Sequence, residues 1–229
     1  MSENFIIAID GPAGSGKSTT AQLVASKLGY IYIDTGAMYR AITFLAIRHE
    51  ILGDNDKIAE LTLNSEINLR FENGVTKISI NGEDLTAVIR SPEVNKHVSD
   101  VSRIKEVRRI LVDKQREIGK KSSGVVMEGR DIATVVFPDA HVKIFLTATI
   151  DERANRRAKE YSEKGTDLPV SEIRKNLESR DEIDSGRKIS PLKKAEDAIT
   201  VDTSNITIEE QVQQILHEVN KISEKLLSK

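Results

Sequence analysis

The sequence predicts an α/β protein: a parallel β-sheet flanked by helices, with a small antiparallel β insert and a helical lid. Three features carry that expectation. Short unbroken apolar runs alternate with helical patterns from the start, the grammar of strand-helix-strand units with right-handed crossovers. Between about Ile67 and Leu85 the period of the apolar residues switches to two, as in antiparallel strands. From Arg153 to Lys194 the chain carries 12 basic against 8 acidic residues, although its net charge is −2, which marks that stretch as a mobile, anion-facing segment.

Taken in order, Phe5 to Ile9 is bounded by Asp10-Gly11-Pro12 and reads as a strand buried on both faces. A helix follows, in which Ala21, Val24, Ala25 and Leu28 recur at helical spacing and Gly29 supplies a stop. Tyr30 to Ile33, ending at Asp34, is a second strand, and Ala37 to Arg48 a second helix. In the insert Leu69, Phe71, Ile78 and Ile80 alternate with polar residues, and Asn73-Gly74 and Asn81-Gly82 stand where type I′ hairpin turns belong. Lys105 to Ile118 is helical again, with Val107, Leu111 and Ile118 on one side. Val125 to Met127 and Val142 to Leu146 are two more buried strands, and Asp151 is expected to cap a helix running to about Lys164. A last strand, Ile199 to Val201, precedes a helix opened by the capping box Thr207 to Glu210.

Composition excludes several chemistries. With no cysteine there are no disulfides and no thiolate nucleophile or ligand, and His49, His97, His141 and His217 lie too far apart for a local metal motif. A pI near 6.2 provides no bulk positive field for nucleic acid and no polybasic membrane anchor. Met-Ser-Glu-Asn carries an acid where a signal peptide needs positive charge, and no apolar stretch approaches the roughly 20 residues that span a bilayer. The expectation is a cytoplasmic protein, a monomer for want of a large exposed apolar stripe, whose chemistry comes from Lys, Arg, Asp, Glu, hydroxyls and backbone.

Gly11-Pro12-Ala13-Gly14-Ser15-Gly16-Lys17-Ser18 fits G-x-x-x-x-G-K-[ST] between a buried strand and a helix, the context that gives the pattern meaning. In such a phosphate-binding loop glycines let successive N–H groups point inward and the helix N-terminus adds positive potential. Lys17 would reach the β/γ oxygens and the Ser18 hydroxyl would ligate Mg²⁺. The sheet is therefore of the P-loop NTPase type, with ATP and Mg²⁺ expected at residues 11–19, Thr19 included. Asn95-Lys96 and Asn220-Lys221 lack the aspartate of a guanine-reading N-K-x-D motif, and Val142 to Leu146 ends on no Walker-B acid, so a small kinase fits better than a switch or a motor.

A kinase whose acceptor is itself a phosphate ester needs several arginines to neutralise and orient it. Arg40 follows Asp34-Thr35-Gly36-Ala37-Met38-Tyr39, Arg130 stands in Glu128-Gly129-Arg130-Asp131, and Arg180 and Arg187 flank Asp181, Glu182 and Asp184. The first two lie after strands, where ligands of parallel sheets collect. Arg153 and Arg157, one helical turn apart, either assist from the lid side or form a solvated face.

Over essentially its whole length the sequence resembles the bacterial cytidylate kinases among the nucleoside monophosphate kinases. The resemblance rests on Ile9 to Thr19, Asp34 to Arg40, Glu128 to Asp131 with Thr134 to Ala140, and Ser179 to Glu182. It implies one unit over residues 1–229: a core of about 1–62, 104–152 and 195–229, a monophosphate-binding insert of about 63–103 and a lid of about 153–194. It also implies that Arg40, Arg130 and Arg187 grip the phosphate of CMP or dCMP beside Asp34 and Thr35. Arg180 and Asp184 would reach the ribose, while Ser99, Arg108 (with Arg109 as a neighbouring alternative) and Asp131 would read the base. Lys17, Arg130 and Arg187 would stabilise the transferring group, with Arg157 on the ATP side. No further arginine lies between Arg180 and Arg187 where the family's lid pattern would have them. Cytosine shows an N4 donor beside N3 and O2 acceptors, which a carboxylate and an arginine satisfy, whereas uracil reverses positions 4 and 3. A kinase of an unphosphorylated metabolite such as shikimate or gluconate, or a regulatory nucleotide-binding module, stays open beside this reading. Gly165 and Gly186 are either flexible points for lid closure or helix ends.

Overall fold

The computed structural model describes residues 4–72, 75–163 and 165–228. Five parallel strands form the central sheet: β1 (Phe5–Asp10), β2 (Ile31–Asp34), β6 (Gly124–Gly129), β7 (Val142–Thr147) and β8 (Ile199–Asp202), in the order β2-β6-β1-β7-β8. Ile7, Ile9, Val125, Val126 and Ile144 are fully buried, as continuous apolar runs covered on both faces require. On one face lie α1 (Lys17–Leu28) and α8 (Ile208–Leu227), which seat Ala21, Val24 and Ala25 against Val212, Ile215 and Val219. On the other face lie α2 (Thr35–Arg48), α5 (Lys105–Lys120) and a single π-helical turn, Ile132–Val136.

The expected antiparallel insert is present as β3 (Ile67–Glu72), β4 (Val75–Ile80) and the two-residue β5 (Glu83–Asp84). Asn81 and Gly82 adopt φ of 52° and 83°, the two left-handed residues of a type I′ turn. Asn73-Gly74 lies outside the described residues. Ile78 and Ile80 face inward with Leu85 and Ile89 against Ile42 and Leu45 of α2, so the insert shares the main core instead of standing apart from it.

Three elements were not expected: α3 (Asn55–Leu63), capped by Asp54; α4 (Pro92–Arg103), capped by Ser91 with proline in its first turn; and the π turn. A further helix, α7 (Val170–Gly186), lies within the expected helical lid and ends on Gly186. The helix α6 (Ile150–Ser162) corrects one detail: Thr149, not Asp151, is its cap, its hydroxyl accepting from Glu152 N–H at 3.3 Å. Asp151 falls inside the first turn, where a carboxylate complements the helix dipole. Gly186 is the last residue of α7, and Gly165 takes a left-handed φ of 76° just after α6. The basic segment is thus two packed helices. Ile173 and Leu177 of α7 meet Ala154 of α6 and Ala13 of the phosphate loop, which places the lid directly on that loop.

A buried hydrogen bond at 2.8 Å from Thr20 to Gln211 Oε1 ties α1 to α8. Thr20→Val keeps the shape and strands the acceptor, and should lower stability by about 1–3 kcal/mol in urea unfolding.

Candidate active site

The loop between β1 and α1 has the geometry of an anion cradle. A Cβ at Gly11 would lie 1.9 Å from the Leu146 carbonyl oxygen, so only glycine lets the chain turn there against β7. Gly16 caps α1 with a left-handed φ of 91°, and no side chain covers the first N–H groups of the helix. Lys17 is buried and folded back, donating to the Pro12 carbonyl at 2.7 Å and to Ser15 Oγ at 3.3 Å. Burial, then the neighbouring Arg130, pull its pKa down to about 7 against the opposing pull of Glu128, Asp10 and Asp184. Gly11, Pro12 and Ser15 do not line the cavity above the loop; they frame it. Ser15 is fully buried and its carbonyl accepts from the Thr203 hydroxyl.

That cavity, about 800 Å³, gathers most of the expected residues from distant parts of the chain: Ala13 to Thr19 except Ser15, Asp34, Thr35, Arg40, Ser99, Arg108, Arg130, Asp131, Arg157, Arg180, Asp184 and Arg187. Parallel register explains the convergence. β2 pairs with β6 so that Asp34 stands opposite Glu128, and β6 pairs with β1 so that Gly129 stands opposite Asp10. The acids and arginines are paired, but incompletely. Arg108 donates to Asp131 at 2.5 Å and Arg130 to Asp184 at 2.9 Å, while Arg187 approaches Asp184 and Asp131 at 3.6 and 3.9 Å. Burial works against it, yet Arg130 and Arg187 hold the Asp184 carboxyl below the usual carboxylate range. Buried nitrogens without a hydrogen-bond partner include Arg40 Nε and Nη1, Arg180 Nε and Arg187 Nη2. Desolvation, followed by repulsion from Arg130, lowers Arg180 to about 9, and burial likewise lowers Arg40 to about 10. Such a group of under-satisfied cations is arranged for an anion that several of them share.

Arg153 and Arg157, equivalent in the sequence, separate here. Arg153 is a buried pin: it donates to the Ala148 and Ala13 carbonyls at 3.1 Å and to Asp181 at 2.6 Å, joining α6, the phosphate loop and α7. Arg157 faces the cavity and pairs with Glu160 at 2.8 Å. Arg109 pairs with Glu106 at the exposed surface, so Arg108 is the residue of the two that enters the site. Ser99 is buried on the wall, its carbonyl accepting from the Ser102 hydroxyl.

Sequence reasoning missed several residues. Asp10 accepts from the N–H groups of Ile132 and Ala133, both at 2.8 Å, and thereby fixes the segment that carries Arg130 and Asp131. Burial pushes its carboxyl up to about 6, partly countered by those two donors. Glu128 is buried, accepts from the Tyr32 hydroxyl and contacts Ser18; burial, then Asp34, raise its pKa. Tyr39 lies beneath the Arg108 guanidinium, 5.2 Å from ring centre to carbon. Arg156 donates to the Thr203 carbonyl at 2.6 Å and, with Ile206, Thr207 and Gln211, lines the end of the cavity beyond the loop. Arg90, at the edge of the insert, reaches Asp34. Asp10, Tyr39 and Glu128 lie inside the matching motifs without a role of their own, and Ser91-Pro92 is a helix-start signal beside Arg90.

A family model described as "Cytidylate kinase" matches residues 7–221. Curated proteins named cytidylate kinase are similar along their full lengths. That of Lactobacillus gasseri is 49% identical over 95% of this chain and 96% of its own. That of Bacillus subtilis is 46% identical over 97% and 100%. Among solved structures, a gluconokinase from Sinorhizobium meliloti aligns at TM-score 0.53 with 14% identity over 99% of this chain and 98% of that one, a likeness of fold alone.

Asp10→Ala leaves two buried N–H groups unpaired, and should cost about 2–5 kcal/mol in guanidinium unfolding.

Proposed function

The chain belongs to the cytidylate kinase family and transfers the γ-phosphate of ATP to CMP or dCMP, and we propose how its own residues divide that work. ATP lies along residues 11–19, with Lys17 leaving the Pro12 carbonyl for the β and γ oxygens and Arg157 on its lid side. The acceptor phosphate takes up the free valences of Arg40, Arg130 and Arg187 beside Thr35; the ribose meets Arg180 and Asp184. The base lies against Ser99, Arg108 and Asp131. The observation that carries this arrangement is the set of unpartnered guanidinium nitrogens on Arg40, Arg180 and Arg187, which share one cavity with the phosphate loop.

Transfer is in-line, from a γ-phosphorus to an oxygen that is already anionic, so no strong base and no covalent intermediate is needed. Lys17, Arg130 and Arg187 stabilise the charge that spreads over the moving group. The donor set around Ser18, a hydroxyl beside the Glu128 carboxylate, consists of hard oxygens and suits Mg²⁺. No group of three or more His, Cys, Asp or Glu among the described residues could hold an ion alone, so substrate phosphates would complete its shell. Ser18 would hold Mg²⁺ bound with ATP, and the ion would supply positive charge that offsets the charge of the phosphates.

At the base, the Arg108–Asp131 pair is almost wholly buried, with side-chain exposures of 3% and 6%. Cytosine can enter that pair with its N4 donor on the carboxylate and its N3 and O2 on the guanidinium. Uracil would set an acceptor against Asp131 and a donor against Arg108, leaving buried groups unpaired. The remaining expectations are a monomer in the cytoplasm; the large exposed apolar side chains, such as Leu23, Leu52, Leu63 and Val170, stand on different elements. No helix of the described residues is long and apolar enough to cross a membrane.

ADP release across CMP, dCMP, UMP, AMP, GMP and unphosphorylated metabolites should be stimulated by CMP or dCMP; stimulation by gluconate or shikimate alone would overturn the reading. Arg130→Ala should lower turnover roughly 10²- to 10³-fold. Limited proteolysis between residues 160 and 190 should slow sharply when CMP and a non-hydrolysable ATP analogue are both present, because lid closure excludes water from the transfer. Unchanged cleavage would argue for a lid that is already closed.

A further inference from the structure

Tyr32 is not part of the cavity wall, yet its hydroxyl reaches a residue that is. Buried on β2, it donates to Glu128 Oε1. Register accounts for the meeting. β2 pairs with β6 so that Asp34 lies opposite Glu128, and Tyr32, two residues before Asp34, points to the same face of the sheet. The phenol is long enough to span that step.

Glu128 has need of such a donor. Its carboxylate is buried beside Asp34, whose like charge repels it, while Lys17 is turned to the Pro12 carbonyl and Ser15 Oγ. Ser18 lies within hydrogen-bonding reach of both the Tyr32 hydroxyl and the Glu128 carboxylate. The phenol ring is fixed from behind by the insert. Phe71 of β3 meets it edge-on, with 5.0 Å between ring centres and 74° between planes, and packs against the core cluster to which Tyr32 belongs. A ring of the insert, a phenol of the central sheet and a carboxylate at the phosphate loop thus brace one another in series. The hydroxyl occupies one Glu128 oxygen and thereby sets where the other can point.

We propose that Tyr32 is a positioning residue for the metal end of the site: it holds the Glu128 carboxylate at Ser18, so that these hard oxygens are assembled before ATP and its ion arrive. This inference rests on the function proposed above, and wild-type turnover of CMP tests that function separately. The variant Tyr32→Phe deletes the hydroxyl and keeps the ring on Phe71. Binding of a non-hydrolysable ATP analogue is measured by calorimetry with Mg²⁺ and with chelator, and CMP binding is measured without metal. In the wild type Mg²⁺ should strengthen analogue binding; Tyr32→Phe should cut that strengthening about tenfold and leave metal-free analogue and CMP binding within about twofold. In a Glu128→Gln background the same substitution should add less than about twofold, because residues that act as a unit are not additive. Equal strengthening by Mg²⁺ in wild type and Tyr32→Phe would overturn the proposal. So would comparable losses in CMP and metal-free analogue binding, the mark of general loosening, or a tenfold loss that persists in the Glu128→Gln background. A wild-type chain that binds the analogue with Mg²⁺ but does not phosphorylate CMP would refute the functional reading instead.

Discussion

The carboxylate of Asp10 joins the two halves of the site. It ends the strand that leads into the phosphate loop, and its two oxygens receive the N–H groups of Ile132 and Ala133 at 2.8 Å. The backbone that carries Arg130 and Asp131 is therefore positioned by the same residue that precedes Gly11. A π-helical turn, rare and costly in ordinary chain, begins immediately after Asp131, and Asp10 supplies the acceptor for its exposed donors. The cost is a buried carboxyl whose pKa climbs to about 6. In return the phosphate loop and the segment of Arg130 and Asp131 share one rigid origin.

Charge follows the same logic. A chain of net charge −2 concentrates arginines in one cavity and pairs them only in part. Arg108 with Asp131 and Arg130 with Asp184 are ion pairs of low exposure, and burying such pairs is weak evidence of a purely stabilising role, because desolvation offsets much of their attraction. They act as internal stand-ins: Asp131 and Asp184 hold the guanidinium groups in place while leaving other donors of the site unmet. The lid belongs to the same network, because α7 brings Asp184 to Arg130 and Asp181 to Arg153. Its packing through Ile173 and Leu177 onto Ala13 means that any opening of α7 also disturbs the phosphate loop.

Much of the fold was legible because its strands are short and continuously apolar, a pattern that only a sheet covered on both faces satisfies. The Asn81-Gly82 turn was legible for a stricter reason, since two adjacent left-handed residues admit few side chains. The phosphate loop announced itself through its spacing together with the buried strand before it and the helix after it. The helix α4 was legible in principle, since Val94, Val98 and Val101 recur at helical spacing behind Ser91-Pro92, whereas α7 buries Ile173, Leu177, Arg180 and Asp184, and two of those four are charged. Periodicity of apolar residues cannot find a helix whose inner face is ionic.

By itself the sequence determined the strand-loop-helix with its phosphate-loop pattern, the parallel sheet around it and, through motifs matching a family, the residues expected at the acceptor. Local spacing suffices there, because a glycine-rich turn between a buried strand and a helix has few alternative geometries. Only the tertiary structure decided that Arg153 is a pin while Arg157 faces the cavity, that Arg108 and not Arg109 enters the site, and that Asp10, Glu128 and Arg90 belong to it. Those distinctions depend on which side of a helix or sheet meets which neighbour, and on pairings across 56 residues for Arg90 with Asp34 and 122 for Asp10 with Ile132. Side chains of identical chemistry carry no mark in sequence of the partner that will neutralise them; burial and register assign it.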